Sequence, residues 1–337
     1  MRRLLLSVVV LLALAGPAMP TAPATARTPG TILVMGAGDI SPEPAATRTD
    51  DVATFTILAA ADPAVILTFG DNQYENGTYD KFASPTGYAG SWGRLLSRTR
   101  PSPGNHEYYD PEVAANGQGM PGYLRYFASR LAGLPCQWAV PACQPGLGYY
   151  SYDLANGWHV VSLNSDCGRS DGTSPACTVG SPQQAWLAAD LAAHSTQRCT
   201  LAYWHVERYG SHAPFEDDRL VAPLWNTLND ARAELVLVGH SHAYARLGAM
   251  DNAGHLAADG DGMAQITVGT GGRSLIAFDQ PPREGTHFRD DQHFGVIRLV
   301  LTGDDTRNGT GNGTWESAFV RTDGVTADPT GTVGCRV

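Results

Sequence analysis

The 337-residue chain contains a single lysine, Lys81, so its fixed positive charge is nearly all arginine, and no Lys/Arg cluster forms a groove that could track a phosphate backbone. The formal net charge is −10. That balance excludes a general nucleic-acid binder, and an anionic substrate would need local positive charge from metal ions. Past the N-terminus no apolar run is long enough to span a bilayer, so no membrane partner is expected beyond the leader. There is no C-x-x-C pair, no internal repeat and no linker marking a second domain, and nothing fixes an oligomeric state.

What is present begins with a leader. Arg2 and Arg3 precede an apolar stretch over 4–15 and the small residues Ala24-Thr25-Ala26, the layout of a secretory signal with an A-x-A cleavage site. The stretch is shorter than the ~20 residues a spanning helix needs. Residues 1–26 are therefore expected to be a signal peptide and 27–337 one secreted domain; losing Arg2 and Arg3 takes the net charge from −10 to −12. Six cysteines, an even number in an exported chain, predict disulfides. Proximity suggests Cys136 with Cys143 and Cys167 with Cys177, leaving Cys199 for Cys335, one of fifteen possible pairings.

Buried-strand patterns over 31–35, 64–69, 148–153, 158–164, 199–204 and 234–238 alternate with helical patterns over 50–61, 182–194 and 219–232. A helical patch at 92–96 and one helix at 123–131 are also expected. The alternation predicts an α/β fold with βαβ units, and strands near 265–268, 295–302 and 314–320 complete a second β-rich layer. Residues 108–148, rich in Gly, Pro and aromatics, read as a loop-rich insertion over a sheet edge.

The chemistry gathers where strands end. Val238-Gly239-His240-Ser241-His242 follows an apolar run, and ligands of open α/β sheets bind beyond the carboxyl ends of strands. Residues two apart in extended backbone project to one side, so His240 and His242 can reach one polynuclear centre. Other strand ends deliver Asp39, Asp71 with Tyr74, Asn105 with His106, and His205. Two ions about 3.5 to 4 Å apart need a bridging carboxylate and mixed oxygen and imidazole donors, and Asp71 suits the bridge. A phenol, a carboxamide and several imidazoles favour transition metals over calcium or magnesium. Taken singly, each motif is an ordinary polar turn.

Together, Gly38-Asp39, Gly70-Asp71-Asn72-Gln73-Tyr74, Gly104-Asn105-His106-Glu107, Trp204-His205 and Gly239-His240-Ser241-His242 resemble the ordered motif set of calcineurin-like metallophosphoesterases over about residues 31–302. Within that superfamily the chain is similar to the purple acid phosphatases. Its first motif, Asp39-Ile40-Ser41, lacks the usual histidine, Tyr74 follows Asp71 by three, and His242-Ala243-Tyr244-Ala245-Arg246 also looks like theirs. The resemblance implies a four-layer α/β/β/α sandwich of two mixed β-sheets. It implies one metal on Asp39, Asp71, Tyr74 and His242, another on Asp71, Asn105, His205 and His240, and His106 beside them to stabilise the transition state or protonate the leaving oxygen. The metals implied are Fe(III) plus a divalent ion, Zn, Fe or Mn.

The chain departs from the family after His205. Val206-Glu207-Arg208-Tyr209 lacks the usual proline, Glu207 would repel a phosphate dianion unless it points away or pairs with Arg208, and His212 is a candidate leaving-group acid. Tyr108 and Tyr109 are expected to line the cleft, His159 to pack within its sheet, and His194 to lie at the surface or in a turn. The expected function is a secreted phosphoesterase that hydrolyses phosphate monoesters, its small substrates, by attack of metal-bound water or hydroxide. Two readings compete: a phosphodiesterase acting on nucleotides or lipid headgroups, and an inert secreted metal-containing binding protein.

Overall fold

The computed structural model describes residues 30–45, 49–112, 119–132, 134, 144–195, 199–210, 217–258, 262–303 and 313–336. The leader, His212 and the Cys136–Cys143 pair fall outside them. Strands β1 (Thr31–Ala37), β2 (Val65–Phe69) and β3 (Thr99–Ser102) open one sheet. The second sheet takes β4 (Tyr150–Asp153), β5 (Trp158–Ser162), β6 (Cys199–Tyr203), β7 (Leu235–Val238), β8 (Tyr244–Met250), β9 (Met263–Val268) and β10 (Thr286–Asp290). The chain then returns to the first sheet with β11 (Gly295–Thr302), β12 (Thr314–Arg321), β13 (Thr326–Ala327) and β14 (Val333–Gly334).

The first sheet runs β13-β12-β11-β1-β2-β3, with β14 on β12; the second runs β10-β8-β9-β7-β6-β5-β4. Both are mixed: β1, β2 and β3 are parallel, as are β5, β6, β7 and β9, while β11 and β8 join antiparallel. With helices α1 (Asp50–Ala61), α2 (Tyr79–Ala83), α3 (Pro121–Tyr126), α4 (Ala128–Leu131), α5 (Pro182–Ala193) and α6 (Ala222–Asp230), this is the α/β/β/α sandwich expected from the motifs. Strand β7, Leu-Val-Leu-Val, is buried along its whole length, as a parallel strand covered on both faces must be. Helix α5 starts as its sequence dictates: Ser181 Oγ accepts the Gln184 N–H, and Pro182 takes the first helical position.

Some boundaries differ from the sequence reading for identifiable reasons. β3 lies where the sequence signals no strand, because Pro101 sits within it and Pro103 follows it; as the edge of its sheet it tolerates a residue that cannot donate to a ladder. The expected helix over 123–131 is two short ones, α3 and α4, broken at Phe127. The patch at 92–96 is a 3₁₀ turn, Trp92–Arg98. Disulfides join Cys167 to Cys177 and Cys199 to Cys335; the second ties the C-terminal segment to the start of β6.

Candidate metal centre

The carboxyl ends of parallel strands from both sheets meet at one place. Asp39 lies two residues beyond β1, Asp71 two beyond β2, Asn105 three beyond β3, His205 two beyond β6 and His240 two beyond β7. The Gly38 N–H donates to the Val268 carbonyl at the end of β9 (2.8 Å), joining one sheet to the other at this point. Glycines let the loops touch. A Cβ on Gly70, at φ +79°, would lie 2.6 Å from the His205 side chain, and one on Gly104 would lie 2.2 Å from Asp71 Oδ1. Asp39, Asp71, His240 and His242 themselves adopt left-handed backbone, with φ of 58°, 48°, 73° and 51°. Such a conformation costs a non-glycine residue on the order of 1–3 kcal/mol and persists only where the surroundings impose it.

The side chains form two groups around Asp71. In the first, Tyr74 Oη lies 2.6 Å from Asp39 Oδ1, 2.8 Å from Asp71 Oδ2 and 3.0 Å from His242 Nε2. In the second, His205 Nε2 lies 3.1 Å from Asn105 Oδ1, 3.1 Å from His240 Nδ1 and 3.2 Å from Asp71 Oδ2. Oδ2 of Asp71 thus faces both groups, while its Oδ1 accepts the His106 N–H at 2.8 Å. Ligand atoms of Asp39, Asp71 and His205 all lie within 4.8 Å of one another.

Outer partners fix the rings. His205 Nδ1 is 2.7 Å from the Phe69 carbonyl and His242 Nδ1 is 2.7 Å from Ser274 Oγ, so each ring turns Nε2 inward. Oδ2 of Asp39 accepts the His240 N–H at 2.8 Å. Glu107, fully buried, accepts N–H groups from Gly104 (2.6 Å), Asn72 (2.7 Å) and Asp71 (3.0 Å), stitching the loop after β2 to the loop after β3. Ser165 Oγ accepts the N–H of Val206 (2.8 Å) and of His205 (3.2 Å).

The donor set fits metal ions. One phenolic proton stands between two buried carboxylates, and His205 Nε2 faces the Asn105 and Asp71 oxygens and a second imidazole nitrogen, His240 Nδ1. Without a cation, protons must fill that role. Burial opposes a charge on His205, but Asp71 overrides it and pushes the ring up to about 10; burial and the His205 charge push His240 down to about 3. Burial, then Asp39 and Asp71, hold the Tyr74 phenol well above its ordinary range. A pair of ions placed among these atoms would relieve the same excess of acceptors.

The remaining predicted residues are placed as follows. His106 stands beside the centre rather than in it: Nδ1 meets the Glu75 carbonyl at 2.5 Å, Nε2 is 3.9 Å from Asp71 Oδ2, and the ring lies 4.2 Å from that of Tyr74. Only one of the two cleft tyrosines lines the rim. Tyr109 is 48% exposed, its ring against His106 and its hydroxyl accepting from Asn105 Nδ2 (3.1 Å), whereas Tyr108 is buried and bonded to Asn164. Glu207 neither faces substrate space nor pairs with Arg208: it is buried and accepts the Ser241 hydroxyl, behind the His240–His242 turn. Burial pushes its carboxyl up to about 8, removing the repulsion expected of it near neutral pH. Sequence reasoning gave no role to Ser165, Ser274 or Glu107; only Glu107 carried a signal, its place in the Gly104-Asn105-His106-Glu107 motif.

Comparison with known proteins agrees with this geometry. The family model for calcineurin-like phosphoesterases matches residues 38–244, more than half of the chain. Purple acid phosphatase 22 of Arabidopsis thaliana is 32% identical over 164 residues, covering 45% of this chain and 34% of that protein. Purple acid phosphatase 18 of the same plant is 27% identical over 203 residues, covering 56% and 43%. The chain thus spans less than half the length of these curated relatives. A purple acid phosphatase from yellow lupin (Lupinus luteus) seeds shares the fold, with a TM-score of 0.65 at 16% identity over 93% of this chain and 55% of that one. So does GAP50, the anchor in the inner membrane complex of Plasmodium, with a TM-score of 0.57 at 14% identity over 91% and 89%. The chain belongs to the calcineurin-like phosphoesterases and is similar, within them, to the purple acid phosphatases.

Proposed function

We propose that the chain is a secreted, dinuclear-metal phosphoesterase acting on small phosphate monoesters. The observation that carries this reading is Asp71 Oδ2, 2.8 Å from Tyr74 Oη and 3.2 Å from His205 Nε2, facing two complete ligand groups at once. One ion is assigned to Asp39, Asp71, Tyr74 and His242, the other to Asp71, Asn105, His205 and His240. When bound, such ions supply an activated water and the positive charge that draws in and steadies a phosphate. The chain's own part is to hold the site in register: Glu107 fixes the loops that carry Asp71 and Asn105, Phe69 and Ser274 orient the imidazoles, and burial keeps bulk water from the carboxylates. His106, its Nδ1 at the Glu75 carbonyl, turns Nε2 toward the centre, where it can steady or protonate the departing oxygen. His212 is a second candidate donor on sequence position alone.

The phenol of Tyr74 in the first group supports Fe(III) there, with Zn, Fe or Mn in the second; the visible spectrum of the iron-loaded protein tests this. The leader sequence, together with the Cys167–Cys177 and Cys199–Cys335 disulfides, supports export to an oxidising compartment and a single domain over 27–337. Initial rates of the metal-loaded protein on chromogenic monoester and diester substrates test the substrate class. Faster turnover of the monoester supports the proposal, preference for the diester replaces it with a phosphodiesterase, and no turnover of either favours an inert binding protein. The similarity of the fold to that of an anchor protein, GAP50, motivates that last arm.

A further inference from the structure

At the opposite end of the second sheet, away from the carboxyl strand ends, lies another set of ligand-type side chains. Asp153 ends β4 and stands opposite His159 in β5; His194 follows the last turn of α5. The His159 ring is fully buried, with Nδ1 2.8 Å from Asp153 Oδ1 and Nε2 2.9 Å from Asp190 Oδ2. His194 stacks on it, ring centres 4.0 Å apart and planes 18° from parallel. Nδ1 of His194 is 2.7 Å from the Asp190 carbonyl one turn back, and its Nε2 lies 4.0 Å from Asp153 Oδ2. One ligand atom from each of Asp153, His159 and His194 can be chosen so that all lie within 4.8 Å of one another.

Asp190 organises the cluster from outside. Its side chain meets one imidazole, its backbone carbonyl meets the other, and the Ser151 hydroxyl donates to its second oxygen at 2.9 Å. Both rings are therefore set with their inner nitrogens, His159 Nδ1 and His194 Nε2, toward the same carboxylate. That is the outer arrangement found around metal-bound histidines, in which the far ring N–H goes to a carboxylate or a backbone carbonyl. A buried ion pair would need only His159 between its two carboxylates. The second imidazole, stacked face to face, stands 4.0 Å from Asp153 Oδ2 and 3.5 Å from Asp190 Oδ1, at ion-pair rather than hydrogen-bond reach of both carboxylates. It adds the third donor that a metal site needs.

We propose that Asp153, His159 and His194 form a divalent-metal site of the zinc type, separate from the strand-end centre. Two imidazoles and one carboxylate suit zinc, and the half-exposed Asp153 side chain leaves a further position open to water. His159 Nδ1 lies 2.8 Å from Asp153 Oδ1, and a bound ion would take the place of the proton between them. The ion would pin the edge hairpin of β4 and β5 to the end of α5.

The test counts zinc. The full chain is stripped with chelator, reloaded with Zn²⁺, desalted and analysed for zinc per chain, in parallel with His194→Ala and Asp153→Asn. Each variant is expected to retain one zinc ion fewer than the wild type, with turnover at the strand-end centre unchanged. Equal zinc counts in the wild type and a folded variant overturn the site. His194 and Asp153 both reach solvent, and a variant that loses its fold by circular dichroism leaves the other to decide. The count is read without turnover, so failure of the phosphoesterase proposal would leave this result standing.

Discussion

Tyr74 holds one phenolic proton between two buried carboxylates and an imidazole, and burial drives its ionisation far above the ordinary range. A phenol so placed ionises only if a strong cation replaces its proton, and a phenolate on Fe(III) absorbs visible light. The iron-loaded wild type is expected to be coloured and Tyr74→Phe to lose the band; an unchanged visible spectrum in the variant would remove Tyr74 from the ligand set. At this scale the sequence was legible where spacing carried the chemistry, with Tyr74 three residues after Asp71 and two histidines flanking Ser241. It was not legible where the partner is a common residue on a distant loop. Ser274, which orients His242, has nothing around it to distinguish it from any surface serine. His159 and His194 show a different blind spot. Each is unremarkable in its own segment, and only the return of α5 onto the hairpin brings them together.

The loops after β2 and β3 depend on each other through Glu107, whose carboxylate accepts backbone N–H groups from Gly104 on one side and from Asp71 and Asn72 on the other. Glu107→Gln keeps the shape but sets an NH₂ group against these donors, so the loops would separate and the Asp71 and Asn105 side chains drift. Loss of an outer partner typically lowers metal affinity by about 10–100-fold, and that is the fall expected when metal is titrated into the stripped variant. An affinity equal to wild type would show that Glu107 serves the fold alone. The elements themselves were readable where period and punctuation agreed. β11 falls on the expected 295–302, and α5 starts at its Ser-Pro signal. β3 escaped because proline argues against a strand, a rule that an edge position suspends.

On the scale of the whole molecule, the strand order places β1–β3 and β11–β14 in one sheet and the intervening β4–β10 in the other, so the ligand groups come from both sheets and meet only after the sandwich closes. Asp39, Asp71 and Asn105 arrive from the first sheet; His205, His240 and His242 arrive from the second. The chain carries 23 Lys and Arg against 33 Asp and Glu, a net charge of −10, so bound ions would add the attracting charge that an acidic molecule needs to draw in a phosphate. The alternation of strand and helix made the α/β class visible in advance, but the strands at 295–302 and 314–320, expected in a second layer with 265–268, return to the sheet of β1, and the joining of the sheets at Gly38 and Val268 is a contact between backbone atoms that no side-chain pattern encodes.

The account turns on Asp71 serving both ion positions. The most direct test is the initial rate of phosphate release from an aryl phosphate monoester by folded Asp71→Ala with metal in excess, against the wild type under the same conditions. Loss of the shared carboxylate should disable both positions together and lower the rate by about 10³-fold or more, a scale set by losing transition-state electrostatics. A folded Asp71→Ala that releases phosphate at close to the wild-type rate would contradict the account.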